Sequence, residues 1–139
     1  MKNLKMKKEF KVIADLLPMN IRVLDVGCGD GSLMNLLQKE KNIEVRGLEL
    51  NKDNVQKCIL KGLPVIQGDA ETELHQFPKQ SFDYVVLSQT LQAFYDPDKV
   101  LKELLRIGKL VIVSIPNFGY WKVRTKLLFF GKMPVTKTL

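Results

Sequence analysis

Residues 25–31 read Asp-Val-Gly-Cys-Gly-Asp-Gly, three alternating glycines interleaved with two carboxylates. Glycines let a backbone approach a ligand closely and adopt conformations closed to other residues. At the start of a helix, the N–H groups of such a loop favour a nucleotide-like ligand. The spacing of Gly27, Gly29 and Gly31 is G-x-G-x-G. It differs from the G-x-G-x-x-G of dinucleotide binders, because Ser32 stands where the third glycine of that pattern falls. Asp25 and Asp30 would repel a pyrophosphate and suit a cation, so the loop argues against NAD and for a positively charged nucleoside. An Asp in a glycine turn also has a local reading, as a turn former. Cys28 reads as a small loop residue, because no histidine or basic group is spaced to activate its thiol.

The loop needs a strand before it and a helix behind it, and the pattern supplies both. Ile21–Val26 is a short apolar strand, and the segment from Gly31 to about Lys39 carries Leu33, Leu36 and Leu37 at helical spacing. The alternation continues along the chain. Met6, Phe10, Ile13 and Leu17 predict an N-terminal helix stopped by Pro18. Strands follow at 44–50, 63–67, 82–88 and 110–115, and a final helix is expected over 120–130. Asn51 is placed to cap one crossover helix and Gly62 to end it. Asp96-Pro97 opens another, which Gly108 closes. Five strands with helical crossovers predict an α/β fold with a doubly wound, mostly parallel sheet. The chain reads as one domain over 1–139, with an N-terminal helix in 1–18, a ligand-binding core in 19–119 and the start of a C-terminal part in 120–139.

Ligands of such sheets sit beyond the carboxyl ends of the strands. Asp25 ends strand one. Glu49, with Leu50 beside it, ends strand two, 18 residues beyond Gly31. A carboxylate there can accept both hydroxyls of a ribose, or it can be a solvated strand end. Gly68, Asp69 and Ala70 follow strand three. Asp69 can accept from an adenine amino group, cap a helix, or do both. Ser88 and Gln89 follow strand four and are placed to line the floor. No Cys–His pair or paired carboxylate marks a general base, so the catalytic residues are unknown, and His75 reads as a surface residue.

Of the formal net charge of +7, residues 1–11 hold +4 and residues 120–139 hold +5, leaving −2 on the body between. Basicity confined to two flanks suggests solvated helix faces or an acidic partner surface. It disfavours a nucleic-acid partner, which would draw a basic face across the body. Cys28 and Cys58 form no metal pattern and no disulfide scaffold, which suits a reducing, cytoplasmic setting. No apolar run approaches the length of a membrane helix, so no membrane partner is expected.

The loop and the strand-end groups resemble the cofactor loop of class I S-adenosylmethionine-dependent methyltransferases, which have a Rossmann-like fold. A closer resemblance is carried by Leu63-Pro64-Val65-Ile66-Gln67-Gly68-Asp69-Ala70-Glu71 and by Ser81 to Ala93. Ser114-Ile115-Pro116-Asn117-Phe118-Gly119 with Trp121, and Gly131-Lys132-Met133-Pro134-Val135-Thr136, extend it. These runs are similar to the methionine biosynthesis protein MetW family. The resemblance implies binding of S-adenosyl-L-methionine or S-adenosyl-L-homocysteine at Asp25, Gly27–Gly31, Glu49, Leu50, Gly68–Ala70, Ser88 and Gln89. It also implies a role in methionine biosynthesis beside homoserine O-acyltransferase, as partner or activator. The alternative is an active small-molecule methyltransferase with an unknown acceptor. The family pattern further implies that the final β-hairpin strands are missing from this chain. A strand five left partly unpaired, beside Trp121 and Leu127–Phe130, would then favour self-association.

Overall fold

In the computed structural model, which describes residues 2–88, 93–115, 119–124 and 135–138, three adjacent strands alternate their apolar side chains between two buried faces. β1 (Arg22–Val26) sends Val23 to one face and Leu24 and Val26 to the other. β4 (Phe82–Leu87) separates Val86 from Val85 and Leu87, and β5 (Gly108–Ile115) separates Ile112 from Val111 and Val113. A period of two with both faces apolar is the signature of a strand covered on both sides. β2 (Glu44–Glu49) and β3 (Val65–Gln67) extend the parallel sheet beyond β1.

The helices divide between the faces. α1 (Lys2–Leu16), α2 (Ser32–Lys41) and α3 (Lys52–Leu60) supply Ile13, Met34, Leu37 and Cys58 to the face of Val23. α4 (Ala70–Glu73), a single tight helical turn (Leu74–Gln76) and α5 (Pro97–Ile107) cover the other. The helix ends follow the sequence signals. The Asn51 side chain accepts from Asn54 N at 3.0 Å, and that of Asp96 accepts from Lys99 N at 3.2 Å, with Pro97 in the first turn. Gly62 turns the chain out of α3 at φ +74°. α4 and the turn behind it lie in a stretch where the Asp69 cap is the one helix signal the sequence offers.

α5 is the most strongly amphipathic element, with Leu101, Leu104 and Leu105 all buried. Leu104 is wholly enclosed, so Leu104→Ala should cost about 3 kcal/mol, as large-to-small changes at such sites do. Urea unfolding should show a lower midpoint with an unchanged slope. An unchanged midpoint would mean that this face of the sheet collapses around the cavity without loss.

The strand order is β3-β2-β1-β4-β5-β6-β7. The last two strands correct the sequence reading. Where it expects a helix over 120–130 and no strands beyond β5, β6 (Gly119–Arg124) pairs antiparallel with β5, from Ile115↔Gly119 to Leu110↔Arg124. β7 (Val135–Thr138) pairs antiparallel with β6. Tyr, Trp and Val favour strands, and the free edge of β5 offers a long-range partner that local spacing does not reveal. With β5 paired on both sides, the argument for self-association from an unpaired edge loses its premise. Leu127–Phe130 lie outside the described residues.

Candidate functional site

β1 is the switch point of the sheet. The chain leaves it toward β2, and β4 returns on its other side, so Val26 is in register with both Leu48 and Leu87. The glycine loop begins at the next residue. Gly27 N and Cys28 N both donate to Leu48 O, at 2.8 and 3.3 Å, while Ser88 N donates to Val26 O at 3.0 Å. Gly27, Gly29 and Gly31 take φ values of +74°, +58° and +85°, a left-handed run that favours glycine.

Glu49 is 5 % exposed, so it is no solvated strand end. Its Oε1 accepts from Gly29 N at 2.8 Å and its Oε2 from Asn51 N at 2.8 Å. One carboxylate thus fixes both the middle of the glycine loop and the residue that caps α3. Each oxygen keeps further acceptor capacity, so the group can brace the loop and still receive a diol.

Asp25 is wholly buried. Its Oδ1 accepts from the Ser88 hydroxyl at 3.1 Å, and its Oδ2 has no hydrogen-bond partner among the described residues. Burial pushes its carboxyl up to about 7, and the charge of Glu49 pushes the same way, against the hydrogen bond from Ser88. An orphaned carboxylate oxygen is costly in an apolar surround and calls for a donor or a cation.

The remaining loop residues divide between lining and support. Asp30 accepts from Ser32 N at 3.0 Å and from the Ser32 hydroxyl at 2.6 Å, and Lys61 approaches its carboxylate at 3.7 Å. The Ser32 hydroxyl bond, with Lys61 and Lys57 assisting, holds the Asp30 carboxyl below its usual range. Asp30 thus forms the turn, with Lys61 beside its carboxylate, and it also lines the second cleft. Gly31 is a packing position: a Cβ there would lie 2.5 Å from Leu63 Cδ1. Cys28 and Cys58 bring their sulfurs to 3.9 Å, and Cys58 Sγ donates to Gly29 O at 3.3 Å. Burial pushes both thiols up, which suits packing and not nucleophilic attack.

Two clefts of about 450 Å³ each meet at Gly27 and Ser88, the residues they share. The first is lined by Val26, Leu48, Leu50, Gly68, Asp69 and Ala70, with Glu71 and Ala93–Tyr95 along its rim. The second runs over Cys28, Gly29 and Asp30, between Glu9, Phe10 and Ile13 of α1 and Asn54 and Lys57 of α3. Asp69 caps α4 through Glu71 N at 3.0 Å while it lines the first cleft, so both of its readings are compatible. Gln89 lies outside the described residues. The α1 residues, the α3 pair, Phe94 and Tyr95 carry no local motif that marks them in the sequence. Glu71 carries a signal, as the last residue of the Leu63–Glu71 run. Among the described residues no cluster of His, Cys, Asp and Glu could hold a metal, and no helix is long and apolar enough to cross a membrane.

The family model of methionine biosynthesis protein MetW matches residues 7–139. The chain belongs to the MetW family. It is 32 % identical over 130 residues to the bifunctional methionine biosynthesis protein MetXA/MetW of Rhodopirellula baltica, covering 88 % of this chain and 21 % of that protein. It is 33 % identical over 128 residues to demethylmenaquinone methyltransferase of Listeria welshimeri, covering 81 % of this chain and 53 % of that enzyme. The chain thus spans between a fifth and about half of the length of these relatives. Among solved structures, it is similar to a SAM-dependent methyltransferase of Thermotoga maritima. There the TM-score is 0.64 and the identity 28 %, over 77 % of this chain and 49 % of that one. The fold of this MetW-family chain is that of the class I, Rossmann-like methyltransferases.

Proposed function

We propose that this MetW-family chain binds S-adenosylmethionine, or S-adenosylhomocysteine, across the two clefts and serves methionine biosynthesis beside a homoserine O-acyltransferase. The observation that carries the cofactor reading is Asp25: a buried carboxylate, with one oxygen unpartnered among the described residues, that lines neither cleft itself but sits behind both, bonded to the Ser88 hydroxyl they share. The rest of the site fits the same ligand. Glu49 offers acceptor capacity for ribose hydroxyls, Leu50 is 59 % exposed and gives the first cleft an apolar side chain, and a Cβ on Gly29 would meet no protein atom within 4 Å. Gly68–Ala70 and Ser88 complete the wall and floor. Bound S-adenosylmethionine supplies a methyl group on a sulfonium, and methyl transfer from it requires positioning more than a base. The chain's own residues position and exclude: Glu49 holds the loop, the glycines admit the ligand, and Asp25 places negative charge below it.

Calorimetry tests the reading. S-adenosylhomocysteine and S-adenosylmethionine should bind, and NAD should not. Comparable NAD affinity would overturn the cation argument. Partnership with homoserine O-acyltransferase is supported by the family and by the Rhodopirellula relative, in which MetXA and MetW share one polypeptide. Pull-down with the complete protein should recover that enzyme, and its absence would count against the partner role. A second reading, an active small-molecule methyltransferase, is favoured by the quinone methyltransferases among the relatives. A screen for methylated products separates the two.

Asp25 also predicts a pH dependence. A carboxyl at about 7 in the fold and 3.8 in the unfolded chain keeps its proton longer when folded. The stability it confers is fully present below pH 4, falls as pH rises, and levels off above about 7. At ~1.4 kcal/mol per pH unit, ionising Asp25 opposes folding by roughly 4 kcal/mol at neutral pH. Asp25→Asn should therefore flatten the stability profile of the ligand-free chain and raise its melting temperature at pH 8. The same change should weaken S-adenosylmethionine, whose wild-type affinity should rise through pH 7. Uncharged 5′-methylthioadenosine should show no such rise. Parallel pH profiles for the two ligands would remove Asp25 from the site.

A further inference from the structure

Glu71 is the second residue of α4, directly after the Asp69 cap. Its carboxylate bridges to a segment far along the chain. Oε1 accepts from Tyr95 N at 3.0 Å, and Oε2 accepts from Asp96 N at 3.2 Å. These N–H groups belong to the turn that carries Ala93, Phe94 and Tyr95 along the rim of the first cleft, just before α5. Phe94 packs against the core beneath α5. Tyr95 does not: its side chain is fully exposed while it lines the cleft. A fully exposed aromatic side chain on a residue that lines a cleft gains apolar cover when a flat ligand ring stacks on it, and such stacking is worth more than area alone. Where that ring stands depends on the backbone at its own N–H, and Glu71 holds that N–H.

We infer that Glu71 is a positioning residue for the purine end of the ligand. It sets the Phe94–Tyr95 wall so that Tyr95 covers the ring. This rests on the reading that the first cleft receives adenosine. Both Glu71 oxygens hold backbone donors of this turn, so the residue reaches the ring through Tyr95; direct contact through its spare acceptor capacity is the alternative that the double variant separates. A purely structural role is the competing account, because Asp96 caps α5 and Glu71 ties that cap to α4. The two accounts differ in what they do to binding.

The test measures S-adenosylhomocysteine affinity by calorimetry for wild type, Glu71→Ala, Glu71→Gln, Tyr95→Ala and the Glu71→Ala/Tyr95→Ala double variant. Hydrogen exchange at the Tyr95 and Asp96 amides is followed without ligand. Glu71→Ala should speed both amides and weaken binding by about 5- to 20-fold, the scale of one lost stacking contact. Tyr95→Ala should lose as much, and the double variant no more than the larger single loss. Glu71→Gln, which keeps one acceptor oxygen, should fall between wild type and Glu71→Ala. The rise of S-adenosylmethionine affinity with pH should survive in Glu71→Ala, because Asp25 is untouched. Glu71→Ala binding like wild type, or losses that multiply in the double variant, would overturn the inference and leave the cofactor reading standing. Absence of binding by the wild-type chain would overturn the cofactor reading and this inference together.

Discussion

Glu49→Ala should cost the chain both its ligand and part of its stability. The carboxylate is buried and accepts from Gly29 N and Asn51 N at 2.8 Å each. Removing it strands two backbone donors, each worth about 1–3 kcal/mol when left unsatisfied. One donor is the midpoint of the glycine loop and the other begins α3, so the loop loses its brace and the helix its fixed start. The ribose hydroxyls lose their acceptor at the same time. Affinity for S-adenosylhomocysteine should fall by roughly 10- to 100-fold, the size expected from one or two charge-assisted hydrogen bonds. Glu49→Gln separates the parts. Its amide oxygen can serve one donor while its NH₂ faces the other, so it should destabilise less than alanine yet bind almost as poorly. Calorimetry with thermal melts on both variants decides. Full affinity in Glu49→Ala would remove Glu49 from the site, however much stability it lost.

The outline of this site was legible because its parts are local. A strand that ends in Asp25, a run of glycines and an apolar helix are neighbours in sequence, and parallel topology then brings Glu49, Gly68 and Ser88 to the same edge. Asn51 and the Asp96-Pro97 pair announce their helices by chemistry that acts over three or four residues. What stayed hidden depends on tertiary packing. α4 is four residues long, too short for a periodic signal. The stretch of β6 falls where a final helix is expected over 120–130, and its pairing with the edge of β5 decides otherwise. Asp30 and Asp25 look alike in sequence. Lys61, which takes up the charge of Asp30, arrives from the far end of α3, whereas among the described residues no cation pairs with the buried Asp25. The walls of the clefts come from α1 and the 93–95 turn, which no motif near the loop foretells.

Gly29→Val should abolish ligand binding in a chain that still folds. At φ +58° a side chain with Cβ costs about 1–2 kcal/mol, and a β-branched one more. That is a fraction of a domain's usual stability. The Cβ itself meets no protein atom within 4 Å, so the fold has room for it. The room is in the second cleft, which Gly29 lines, and the added methyls would occupy the space where the ligand must approach the backbone. Strain alone could also loosen the loop, and the fold supplies a control for that. Gly62 has φ +74°, likewise meets nothing within 4 Å, and lines neither of the two clefts. Gly62→Val therefore imposes comparable backbone strain without filling the site. Both variants should melt several degrees below wild type, consistent with a cost of about 2–3 kcal/mol in a domain of this size. Only Gly29→Val should lose S-adenosylhomocysteine. Equal loss in both would trace the effect to strain in the fold. Normal binding by a folded Gly29→Val chain would mean that the glycine loop is not the cradle.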